Sequence, residues 1–223
     1  MSLRQALPFV AVALMLALGW LRVGPPGGAG AEEPKPFVPF GERVSARAPV
    51  LPQYAADANA RIRQQIASVN AMWERAFAAA GETYERPVLA AAKEGCGAQP
   101  GWAGIYCGEG TIVIDVQGHV TRHANAGQAL ADVVLGYIVA HEVGHHVQAL
   151  RAAPDGVLRR ELHADCLAGV WGKAAGLPLP PMWAYGEDAD HGTAAQRARW
   201  LNAGYRSARP SDCDTIWSTS ASP

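Results

Sequence analysis

The chain has 223 residues, 49% of them hydrophobic, with 19 Lys and Arg against 20 Asp and Glu. That length supports one well-buried core with an appendage and is short for two. A formal net charge of −1 provides no broad basic surface for a phosphate backbone, so no nucleic-acid partner is expected.

The first element is an apolar run, Ala6 to Leu21, bracketed by Arg4 and Arg22. It is shorter than the roughly 20 residues that span a bilayer, and residues 1–22 read as a signal anchor or a signal peptide. Ala29-Gly30-Ala31 offers an A-x-A cleavage sequence some way beyond it. Both readings export the rest of the chain: a single-pass membrane protein with an exported domain if the segment stays, a secreted or periplasmic one if it is cleaved. Residues 23–52 are crowded with Pro and Gly and read as a linker. A single domain is then expected over residues 53–223.

Within it, Ile62, Ile66, Val69, Trp73 and Phe77 recur at steps of three and four, which predicts a helix over Ala55 to Ala80 with Gly81 as its stop. Pro87 to Ala91 and the β-branched run Thr111 to Val116 predict a small sheet. Gly127 to Leu150 is apolar nearly all round, as expected of a helix inside the core. Further helices are predicted over Val157 to Ala174, ended by Gly176 and the prolines after it, and over Ala194 to Ser207. Thr193 and Gln196 have the spacing of a capping box at the start of the last one. The fold class is therefore α+β and mainly helical, with a small sheet and an N-terminal apolar segment.

The predicted core helix carries His141-Glu142-Val143-Gly144-His145. At 3.6 residues per turn, positions four apart project from one face, so both imidazoles reach one tetrahedral zinc. Glu142 lies one step on, near enough to take a proton from water at the metal without being a ligand. Two histidines and a carboxylate on an otherwise apolar helix would be costly to bury unpaired. Hydrolytic zinc uses three protein ligands and an open position. Gln148 and Arg151 stand where the metzincin pattern requires Gly and His, so that class is excluded. The next helix offers Glu161 and Asp165 at i, i+4 spacing. Glu161 is the expected third ligand, and Asp165 an acceptor for the spare N–H of His141 or His145. His163 competes with Glu161 but lies about 200° around the helix from it. His146 points away from the metal toward packing or a hydrogen bond. His119 and His123 follow Gly118 in an expected turn and read as surface residues. His191, just ahead of the last helix, is a candidate donor to the carbonyl oxygen of a substrate. Arg197, in its first turn, opposes the helix dipole and should pair with a carboxylate or with substrate.

Export lets Cys96, Cys107, Cys166 and Cys213 pair, and four cysteines allow three connectivities. The short Gly-rich interval between Cys96 and Cys107 closes easily, leaving Cys166 to pair with Cys213.

Together, AHEVGHHVQ (140–148), ELHADCLAGVW (161–171), HGTAAQRARW (191–200) and CDTI (213–216) resemble the bacterial putative neutral zinc metallopeptidase family, as does the segment with Cys96-Gly97 and Tyr106-Cys107. The resemblance runs from about Ala55 to Ile216. It implies a zincin fold, one Zn(2+) per chain on His141 and His145 with Glu142 catalytic, a peptide or protein substrate, and an N-terminal membrane segment. The E-x-x-x-D spacing is also similar to the second motif of gluzincins, which implies Glu161 as ligand and Asp165 as its support. His163 departs from that family's pattern, where Gln is expected. The activity expected is thus a zinc-dependent endopeptidase of the cell envelope. The alternative is a catalytically silent, zinc-stabilised envelope binding module, and an intact Glu142 speaks against it because a structural metal site has no use for a general base.

Overall fold

Apolar residues at helical spacing give the first element its buried face. Helix α1, Ala58–Ala79, turns Ile62, Val69, Met72, Trp73, Ala76 and Phe77 inward, and a side chain the size of Ile62, Val69, Met72 or Phe77 contributes about 1.5–3 kcal/mol on full burial. The computed structural model describes residues 58–90, 96, 102–123, 125, 127–151, 155–181, 184 and 186–214. The apolar run and the linker expected over 1–52 lie outside the described residues. Among the described residues no helix is long and apolar enough to cross a membrane.

Three short strands follow: β1 (Val88–Ala90), β2 (Gly104–Tyr106) and β3 (Thr111–Ile114). β3 is central, parallel to β1 and antiparallel to β2, with Ile105 opposite Val113. β-Branched Ile112, Val113 and Ile114 bury the centre of this sheet, and β2 forms one end of it. Helix α2, Val116–His123, stands where a turn is expected around His119 and His123. Asp115, read as part of the strand, is instead the helix N-cap, accepting from the Gly118 N–H at 2.9 Å. His119 is therefore not at the surface: it is buried and donates from Nε2 to the Ala131 carbonyl at 2.8 Å.

Helix α3, Gln128–Arg151, is buried along most of its length, as its near-uniform apolarity predicts. α4 (Val157–Ala174) and α5 (Ala194–Ser207) coincide with the expected helices, and Thr193 and Gln196 form both bonds of the capping box. A short turn of helix, α6 (Pro210–Cys213), closes the described chain. The crossing of α4 and α5 is set by Gly169 and Gly204. A Cβ on Gly169 would run into the Leu201 carbonyl, and one on Gly204 into the Cys166 carbonyl, so the two backbones meet directly. That contact brings the first turn of α5 over Asp165. The disulfides Cys96–Cys107 and Cys166–Cys213 are both formed, the second tying α4 to α6.

Candidate metal centre

α3 and α4 bring three side chains to one point. His141 Nε2 lies 3.0 Å from Glu161 Oε2, His145 Nε2 lies 3.2 Å from the same oxygen, and the two nitrogens are 3.1 Å apart. For ligands about 2.0–2.1 Å from a tetrahedral zinc, the edge of the tetrahedron is about 3.3 Å, so this triangle matches one of its faces. Three lone-pair-bearing atoms this close need a cation or protons between them, and the donor set of two imidazoles and one carboxylate fits zinc. His141, Glu161 and His191 also lie within 4.8 Å of one another at their nearest ligand atoms. The tighter triangle is the better metal face, because all three of its edges are 3.0–3.2 Å; the Nδ1 of His191 lies 2.9 Å from both Asp188 oxygens. His191 Nε2 points inward at the rim of the same triangle, 3.3 Å from Glu161 Oε2.

Each member is held from behind. His141 donates from Nδ1 to Asp165 Oδ1 at 2.8 Å, and Arg197 grips both Asp165 oxygens, through Nε and Nη2, at 2.9 Å each. This carboxylate resolves the apparent conflict of a cation in the first turn of α5. His145 Nδ1 lies 3.0 Å from Gln148 Oε1 on the next turn of α3. His146 faces the other way: Nε2 donates to the Glu85 carbonyl at 2.6 Å and Nδ1 approaches the Tyr106 hydroxyl at 3.4 Å, tying the end of β2 to α3. His163 is also outside the centre, its Nδ1 3.1 Å from Gln148 Nε2 and its Nε2 3.8 Å from Asp214.

Without a cation the site holds a proton. Burial pulls the His141 ring toward neutrality, but Asp165 and Glu161 outweigh it and its pKa is pushed up to about 10. Glu161 is likewise resisted by burial and then driven below the usual carboxylate range by the His141 and His145 rings. Burial alone would raise Asp165; Arg197 and His141 bring it below its ordinary value. Burial moves Glu142 the other way, above its ordinary value, against the pull of His141 and His145. A buried carboxyl with a raised pKa is suited to taking up and returning a proton. Glu142 packs against β2, where a Cβ on Gly104 would come within 2.9 Å of its Cγ and Oε1.

A family model described as "Putative neutral zinc metallopeptidase" matches residues 42–177. The chain belongs to this zinc metallopeptidase family. Its relatives include Uncharacterized protein YpfJ of Escherichia coli K12, 31% identical over 68% of this chain and 69% of that one. Another is Uncharacterized protein Rv2575 of Mycobacterium tuberculosis H37Rv, 31% identical over 72% of this chain and 73% of the other. No solved structure matches the chain. The family match spans the segments carrying His141, Glu142, His145, Glu161 and Asp165 and stops short of His191, Arg197 and Cys213.

For this metallopeptidase-family chain, sequence spacing anticipated the residues that meet at the centre but not all that support them. Asp188 carried no signal beyond its place three residues before His191. Gln148 stands out in the sequence as a departure from the metzincin pattern and as the end of AHEVGHHVQ (140–148), and its i+3 spacing from His145 on a helix places it within reach.

Proposed function

We propose that the chain is a zinc-dependent endopeptidase of zincin type, exported to the cell envelope and hydrolysing peptide bonds through water activated by Glu142. The observation that carries this reading is the triangle of His141 Nε2, His145 Nε2 and Glu161 Oε2, with edges of 3.0–3.2 Å and Glu142 next to it. His141, His145 and Glu161 would hold one zinc per chain. Zinc bound there would polarise the scissile carbonyl and lower the pKa of a coordinated water toward about 7.

The chain's own residues do the rest. Glu142 takes the proton from the attacking water as its oxygen bonds to the carbonyl carbon, then passes that proton to the amine nitrogen as the C–N bond breaks. His191, held through Nδ1 by Asp188, directs Nε2 toward the carbonyl oxygen as negative charge develops there. Arg197 acts behind the site: it keeps Asp165 ionised, and Asp165 keeps the His141 proton on Nδ1 and Nε2 free. β2, at the end of the sheet beside Glu142, offers a backbone edge to an extended peptide or protein substrate. The apolar run ahead of the domain and the two disulfides support export, with the N-terminal segment as membrane anchor or cleaved signal.

The test is a broad peptide library exposed to the zinc-loaded full chain and to its Glu142→Ala variant. Wild type should cut internal bonds, and Glu142→Ala should keep its zinc and lose about 10²–10⁴ in rate, the range for a general base. A fully metallated wild type that cuts nothing, or a Glu142→Ala variant that cuts equally well, contradicts the proposal.

A further inference from the structure

Gln148 is 3% exposed and makes three polar contacts, which together leave its carboxamide one orientation. Its Nε2 lies 2.7 Å from the Arg160 carbonyl oxygen and 3.1 Å from His163 Nδ1. A backbone carbonyl only accepts, so the group facing it must be the NH2; the flipped amide would set oxygen against oxygen in a buried site. The second amide hydrogen is then directed at His163 Nδ1, which must be the bare nitrogen of that ring. Oε1 is left facing His145 Nδ1 at 3.0 Å. An amide oxygen also only accepts, so the proton of His145 belongs on Nδ1, and its Nε2 presents a lone pair to the triangle.

We infer that Gln148 is a positioning residue for the metal centre, fixing the tautomer and ring plane of His145 as Asp165 does for His141. This rests on the reading of His145 as a zinc ligand. The two supports differ in charge for a reason visible in their surroundings. Asp165 has Arg197 to balance it, whereas a carboxylate at position 148 would face the Arg160 carbonyl with no cation bonded to it among the contacts described. The anchor of the second ligand is thus the α4 backbone itself, at the residue before Glu161. Any shift of α4 along α3 would move Glu161 and the tautomer lock of His145 together.

Two measurements on the full chain decide the matter. Gln148→Met keeps the length of the side chain and removes the acceptor. Its dissociation constant for Zn(II), read by competition with a chromophoric chelator, should rise about 10–100-fold, with far-UV circular dichroism unchanged. Gln148→Glu retains an oxygen for His145 and, with the other oxygen protonated, a donor for Arg160, and should recover most of that loss. Independently of either variant, ¹⁵N histidine spectra of wild type should show a proton on His145 Nδ1 in both metal-free and zinc-loaded protein. A bare His145 Nδ1, or a Gln148→Met protein with wild-type zinc affinity, overturns the inference. Failure of wild type itself to take up zinc defeats the ligand reading instead, and the nitrogen spectra still report whether Gln148 holds the ring.

Discussion

Replacing Arg197 with Met should destabilise the fold and loosen the metal centre together. Asp165 has a side chain only 3% exposed and three charge-assisted donors, two from Arg197 at 2.9 Å and one from His141 at 2.8 Å. The substitution would leave an ionised carboxylate with one donor. Removing one partner of a buried pair costs about 3–5 kcal/mol. The Arg197 side chain is 16% exposed, so water reaches part of the vacated site and the lower end, about 3 kcal/mol, is expected. For a domain of this size that lowers Tm by about 6–12 °C. The folded-state pKa of Asp165 is depressed, so this stability is present above the unfolded carboxylate value and is lost as pH falls through the folded one. The assay is thermal and denaturant unfolding of metal-free wild type, Arg197→Met, Asp165→Asn and the double variant. In the Asp165→Asn background the same Arg197 substitution should cost at least about 1 kcal/mol less, because no charge is stranded. Additive losses, or an Arg197→Met protein as stable as wild type, would refute the pairing and with it the role given to Arg197.

The proton on metal-free His141, whose pKa is pushed up to about 10, must leave when zinc enters. Zinc affinity should therefore rise about tenfold per pH unit from about pH 7 to about pH 9, with about one proton released in calorimetry; a flat profile contradicts this. Gly104→Ala forces Glu142 aside by about 0.5 Å, since the new Cβ would stand 2.9 Å from its carboxylate. Peptidase kcat should fall about tenfold at unchanged zinc content, and undiminished kcat would show that Glu142 is not packed there. Removing the Cys166–Cys213 bridge, which closes 47 residues, should cost about 4 kcal/mol in denaturant unfolding by the chain-entropy relation, and a loss below about 1 kcal/mol would argue against the clamp.

Where periodicity was strong, the sequence was a sufficient guide. α3, α4 and α5 fall within a residue of their predicted bounds: α3 and α4 carry long apolar patterns, Gly176 ends α4, and the Thr193–Gln196 capping box starts α5. The two motifs were legible for the same reason, since i, i+4 spacing on a helix is already a statement about distance. What was not legible depends on contacts between distant segments. β2 is three residues long and too short to alternate; it exists because β3 pairs with it. α2 contains Gly118 and a β-branched start, and it is held by Asp115 as cap and by the His119 bond to α3. Arg197 reaches Asp165 only because Gly169 and Gly204 let α4 and α5 touch, a crossing that no local pattern announces. The three contacts that lock Gln148 come from three points on two helices, at sequence separations from 3 to 15.

Zinc stoichiometry of dialysed wild type against Glu161→Ala tests the central claim most directly, because Glu161 is the one proposed ligand that α3 does not carry. The triangle of His141, His145 and Glu161 predicts one zinc per wild-type chain and its loss from Glu161→Ala, with Glu142→Ala, which alters no ligand, keeping a full complement. A Glu161→Ala protein that retained one zinc at wild-type affinity would contradict the account and place the metal on other residues.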